Sequence, residues 1–273
     1  MSIAVFGDVH GHSKVLAALH AKTNAAYPHI TQWYGCGDLV DRGPDSHGVI
    51  QFCIDNQILS ALGNHDEWFL SYIRGDRHPN FLNAWLMPNN GGEKTLLSYG
   101  IRPQIVGTHS YSGRGWYVSP DQPKVDPLHE EWLASRPTVI ETDHGYLLHG
   151  GIGPSMVKEA AHRMRDSHQS LTQQRLSMEE AVARVTPFHC SPTGVRWFYK
   201  GQYTAEKSVH YYPFDKPQIV GHNAVLKPVV SNHHIAIDTG CGLGPDGVLT
   251  ALVLPEKEFV QVTMKEIYDV HSE

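Results

Sequence analysis

The chain has 273 residues, 41% apolar and 18% charged, which excludes a disordered or fibrous protein and leaves room for a hydrophobic core. Its formal charge is −6, so the basic footprint of a nucleic-acid binder is missing. Cys36, Cys53, Cys190 and Cys241 form no CxxC pair, which argues against a zinc ribbon or disulfide scaffold; the unusual count is 19 histidines.

The predicted elements begin with a strand over Ile3–Gly7 that ends at Gly-Asp. A helix follows over Ser13–Ala26, with Ser13 as its cap. Thr31–Gly37 reads as a second strand, again ending at Gly-Asp, and Ile50–Asn56 as a short helix. Ile58–Gly63 is a third strand that runs into a helix from GNHDEWFLSYI. Phe81–Leu97 is helical with a break at Gly91-Gly92, and Leu128–Ser135 is another short helix. Five strands are predicted later, at Tyr146–Gly150, Gln218–Gly221, Ile235–Asp238, Val248–Leu254 and Phe259–Met264. Between the first two lies an insertion, about residues 155–217, with two polar helices and then the aromatic stretch RWFYKGQY…HYYPF. The pattern predicts one α/β domain over 1–273 with mixed sheets. The opening MSIAVFGDVHG has no basic region and reaches Asp8 too early for a secretory signal. No apolar run nears the roughly 20 residues of a membrane span. Both points predict a cytoplasmic protein without a membrane partner.

Polar residues concentrate where strands end. GDVHG at 7–11, GDLVDRG at 37–43 and GNHD at 63–66 each place a glycine before Asp or Asn, with histidine close by in two of them. His149 follows YLL, and His222 follows IVG. Sites in α/β sheets form beyond the carboxyl ends of strands. These five motifs, in this order, are similar to those of the calcineurin-like metallophosphoesterase superfamily. The DRG and GDVHG wording resembles its phosphoprotein phosphatase family, in particular bacterial and lambda-phage-type serine/threonine phosphatases. NAWLMPNNGGEKTLLSYG looks like the segment that follows the third motif in bacterial members. The resemblance spans residues 3 to about 254 and is weakest over 155–217. It implies a four-layer α/β/β/α sandwich with two central mixed sheets.

The residues suit that chemistry. Asp8 and His10 are two apart, so at an extended strand exit they point to one side and offer an oxygen and a nitrogen to a first metal. Asp38 can bridge two cations, and Asn64, His149 and His222 complete a second set. Oxygen and imidazole without thiolate suit manganese, iron, zinc or nickel; the resemblance favours two manganese ions. Such a pair clamps phosphorus for in-line attack by a bridging hydroxide. Arg42 offers a planar fork to phosphate oxygens. The resemblance makes Asp41 and His65 the acid pair that protonates the leaving group, with Asn64 also near substrate. Families of this kind use a second arginine, for which Arg196 is the candidate, with Lys200 behind it.

The expected activity is hydrolysis of a phosphomonoester on a protein serine or threonine, with tyrosine as a further target; small phosphoesters are the other partner class. The alternative is a symmetrical dinucleoside tetraphosphate hydrolase. The third motif reads GNHD, as in those hydrolases, whereas protein phosphatases more often have GNHE. The hydrolases tend to carry Gln at the position of His10. A degenerate, non-enzymatic scaffold would have no need of the intact His65, Asp41 and Arg42. Elsewhere structural roles are expected: a solvent-facing helix start for His12, strand flanks for His233 and His234, a strand end near the site for Asp238, and packing for Cys241.

Overall fold

The computed structural model describes residues 1–106, 115–151 and 214–268. Strand β1 (Ile3–Phe6) divides its side chains between two cores. Ala4 and Phe6 join Leu16, Leu19 and Ile50; Ile3 and Val5 join Leu147, Ile219 and Ile235. The period of two along a strand makes this division automatic. Fully burying each such aliphatic side chain contributes roughly 1.5–3 kcal/mol.

β1 pairs in parallel with β2 (Gln32–Gly35), and β2 with the short β3 (Leu59–Ser60). On its other side it pairs antiparallel with β11 (Val248–Leu254), which carries the edge strand β12 (Glu258–Thr263). The second sheet has the order β6 (Val139–Glu141), β7 (Tyr146–Leu148), β8 (Gln218–Val220), β10 (His234–Ala236), β9 (Val229–Val230). Its central β7, β8 and β10 are parallel and its edges antiparallel. The two mixed sheets share the apolar layer of Ile3, Val5, Leu252 and Leu254 against Leu147, Ile219 and Ile235. β4 (Gln104–Val106) and β5 (Gly115–Tyr117) pair separately.

Helix α1 (Ser13–Ala26) buries Val15, Leu16, Leu19 and Thr23 and packs across β11 and β12. It also meets α2 (Ser46–Asp55). Helices α3 (Asn64–Ile73), α4 (Pro79–Trp85), α5 (Gly92–Ser98) and α6 (Pro127–Ala134) follow, and α7 (Met264–Tyr268) comes last among the described residues. The fold is the mixed α/β sandwich that the sequence predicts.

Several boundaries differ from expectation for local reasons. α2 starts at Ser46 instead of Ile50, because the Asp45 carboxylate accepts the Gly48 N–H at 2.9 Å and caps it. The third strand shrinks to two residues: the Ala61 N–H still reaches the Gly35 carbonyl, but the Leu62 N–H turns to Pro137. β4, β5, β6, β9 and α7 have five residues or fewer, too few for a readable period. His12 is buried instead of solvent-facing, its Nδ1 3.1 Å from the Tyr268 hydroxyl. His234 does not flank a strand; it is the first, buried residue of β10. The two polar helices and nearly all of the aromatic stretch expected in the insertion lie outside the described residues. Among those described, no helix is long and apolar enough to cross a membrane.

Candidate metal centre and acid pair

Two parallel trios point their carboxyl ends at one edge of the sandwich. Asp8 and His10 follow β1, Asp38, Asp41 and Arg42 follow β2, and Asn64 and His65 follow β3. From the second sheet, His149 follows β7, His222 follows β8 and Asp238 follows β10. The approach is close: a β-carbon on Gly221 would collide with the Asp8 carboxylate. His10, Asp38, Asp41, Arg42 and His222 all have left-handed backbones, with φ of 47°, 51°, 72°, 64° and 66°. Each costs of order 1–3 kcal/mol for a non-glycine residue, so the surrounding fold must impose them.

Asp38 is the centre of the cluster. Its Oδ2 lies 3.1 Å from His149 Nε2 and 3.8 Å from His10 Nε2. Two donor groups share it, one with His10 and His65 and one with His149 and His222. His149 Nε2 is also 3.1 Å from Asn64 Oδ1 and 3.1 Å from His222 Nδ1. Asp8 Oδ2 is 3.9 Å from His10 Nε2, and the Asp8 carboxylate accepts the His222 backbone N–H. The six residues predicted as ligands are therefore brought together.

The donor chemistry fits two divalent cations. His10 Nδ1 is 3.0 Å from the Val40 carbonyl, and His149 Nδ1 is 3.0 Å from the Cys36 carbonyl. A carbonyl can only accept, so each Nδ1 carries the proton and each Nε2 can turn a lone pair inward. Around the His149 Nε2 stand a carboxylate, an amide and an imidazole. Burial disfavours an imidazolium there, but the Asp38 and Asp8 charges outweigh it and raise His149 to about 10. Burial and then the Asp238 charge push Asp8 well above the usual carboxylate range. A cation relieves both conflicts, since it replaces the proton on nitrogen and balances the crowded carboxylates.

The two residues expected to form an acid pair stand beside this cluster. His65 Nδ1 donates to Asp41 Oδ2 at 2.7 Å. Asp41 is fully buried and also accepts from Trp85 Nε1 at 2.8 Å and the Thr95 hydroxyl at 2.6 Å. Burial opposes charge on His65, but the Asp38 charge and the bond to Asp41 outweigh it and raise its pKa. The Arg42 guanidinium reaches both sides: Nη1 is 2.6 Å from His10 Nε2 and Nη2 is 3.2 Å from His65 Nε2.

Arg196, the expected second arginine, and Lys200 lie outside the described residues. Asp238 and Cys241 are buried where expected. Sequence reasoning gave no role to Trp85, Thr95 and Asp66. Trp85 and Thr95 sit in the NAWLMPNNGGEKT segment, whose likeness to bacterial members was the available signal. Gly91 in that segment, at φ 80°, packs so closely on Arg42 that a β-carbon would strike its backbone. Asp66 accepts the Leu39 and Gly63 N–H groups, both at 2.9 Å, and ties the turn into α3 to the exit of β2. Burial and the Asp38 charge raise its carboxyl to about 7.

Comparison with known proteins bears on the family and the fold. The family model described as calcineurin-like phosphoesterase matches residues 1–222. The asymmetrical bis(5'-nucleosyl)-tetraphosphatase of Oceanobacillus iheyensis is 27% identical, over 97% of this chain and 94% of its own length. The symmetrical bis(5'-nucleosyl)-tetraphosphatase of Neisseria meningitidis is also 27% identical, over 96% and 95%. Among solved structures, a putative diadenosine tetraphosphatase superposes with a TM-score of 0.54 at 18% identity, covering 96% of this chain and 93% of its own. The cold-active protein-tyrosine phosphatase of a psychrophilic Shewanella gives 0.53 at 19%, covering 96% and 78%. These two likenesses concern the fold alone.

Proposed function

The chain belongs to the calcineurin-like phosphoesterase family, and we propose that within this family of metal-dependent hydrolases it is a symmetrical dinucleoside tetraphosphate hydrolase. The observation that carries the substrate is the nearly full-length match to two bis(5'-nucleosyl)-tetraphosphatases. The phosphomonoesterase acting on phosphoproteins, which the motif wording favoured, becomes the second reading; GDVHG with His10 is what keeps it in play.

Asp8, His10 and Asp38 would hold one metal, and Asp38, Asn64, His149 and His222 the other. When bound, the metals supply Lewis acidity and an acidified water as nucleophile. Manganese is the proposed ion for this nitrogen and oxygen set. The remaining work falls to the protein. His10 Nε2 serves one partner at a time, so with His10 holding a cation Arg42 Nη1 would be free for a phosphate oxygen. The planar fork of Arg42 then holds the phosphoryl group between His10 and His65. His65 gives a proton from Nε2 to the departing phosphate oxygen. Asp41 fixes the ring through Nδ1 and stabilises the imidazolium before transfer.

The test is a manganese-supplemented panel of diadenosine tetraphosphate, phosphoserine and phosphotyrosine peptides, and an aryl phosphate. The proposal predicts that diadenosine tetraphosphate has the highest kcat/KM and yields ADP alone. Equal amounts of ATP and AMP would mean asymmetrical cleavage. Preference for a phosphopeptide would establish the second reading.

A further inference from the structure

Beside the metal cluster, on the other side of Arg42, is a cavity of about 210 Å³. That is the space of about seven waters, since each takes roughly 30 Å³ in the liquid. Its polar wall is Arg42, Lys94, Lys265, His12 and Tyr268; Gly242 and Gly244 close it from the loop after β10. Among the described residues the lining contains no carboxylate, in a chain whose formal charge is −6. Lys265 is already paired with Asp246 at 2.6 Å. Lys94 is exposed and has no ion pair among the described residues. Arg42 brings a further positive charge to this wall.

Arg42 is therefore shared. Its two terminal nitrogens face His10 and His65, while Arg42 is also one of the residues that line the cavity. Resting on the function proposed above, we infer that this cavity is a subsite for the phosphate that adjoins the scissile one in a nucleoside polyphosphate, with Lys94 as its specificity-determining cation. A substrate cleaved within a phosphate chain carries such a neighbour, whereas a phosphomonoester does not. Lys94 meets the neighbouring phosphate as a mobile point charge, and Arg42 spans the two phosphates. The small side of the cavity comes from glycine: a β-carbon at Gly242 would sit 2.7 Å from the His10 β-carbon, so the loop lies flat against the cluster.

The experiment compares ADP with AMP, which differ by this one phosphate. Both are titrated calorimetrically into the full-length, manganese-loaded chain, wild type and Lys94→Gln. The subsite predicts that the wild type prefers ADP by about tenfold, as expected of one charge-assisted contact. Lys94→Gln should erase that preference and leave AMP affinity and aryl phosphate turnover within about twofold. The preference should also shrink as salt is raised, since Lys94 is exposed. A wild type with equal affinity for both, or a Lys94→Gln variant that keeps the preference, overturns the subsite. Neither result depends on turnover of diadenosine tetraphosphate, so failure of the proposed substrate and failure of the subsite are told apart.

Discussion

His10 and His149 are each oriented by a main-chain carbonyl, at Val40 and Cys36, whereas His65 is oriented by a carboxylate that Trp85 and Thr95 hold in turn. The difference separates two kinds of construction within one site. A carbonyl survives any substitution of its own side chain, so His10 and His149 keep their orientation unless the strand exits move. The acid pair rests on side chains, and single substitutions can loosen it without touching the cluster. This division gives the two halves different sensitivities.

Asp41→Asn should break the acid half with the larger effect. It removes the acceptor for His65 Nδ1–H and one of the charges that raise the His65 pKa. Turnover on a poor leaving group should fall by about 10²-fold, in the range for loss of an effective general acid. The sign of the pH effect follows from that pKa. A raised value keeps His65 protonated to higher pH, so its loss moves the alkaline limb of the kcat profile to lower pH. A limb that stays in place in pH–rate measurements would remove His65 from the acid role. Metal content should remain that of the wild type.

A smaller effect is expected from Trp85→Phe, which keeps the aromatic packing against Phe69 and Phe81 but deletes the N–H that reaches Asp41. One donor lost from a buried carboxylate costs about 1–3 kcal/mol of stability, measurable by denaturant titration. Turnover should drop by about tenfold or less. A loss of bound manganese in this variant would show that the two halves are not independent.

The same division explains how much could be read from the sequence. Asp8, His10, Asp38, Asn64, His149 and His222 follow short apolar strands directly, so strand ends and glycines locate them without knowledge of packing. Asp41 and His65 lie in two of the same motifs. Trp85 and Thr95 reach Asp41 across 44 and 54 residues, and only the path of the chain between α4 and α5 brings them there. No local pattern encodes that return. His12 was misjudged for a similar reason, because the Tyr268 ring that covers it comes from the far end of the chain. The substrate was the least legible feature: the motifs point to chemistry at phosphorus, and Lys94, the cation proposed to read the neighbouring phosphate, lies outside them.

His65 is where the two halves meet, since it sits within reach of Asp38 and His10 and could by position serve as a ligand instead of an acid. Elemental analysis of manganese bound per chain in the wild type, Asp38→Asn and His65→Ala separates these roles. The account predicts two ions in the wild type, a marked loss in Asp38→Asn, and two ions retained in His65→Ala despite turnover lowered by about 10²–10⁴-fold. A His65→Ala protein that loses as much metal as Asp38→Asn would contradict it.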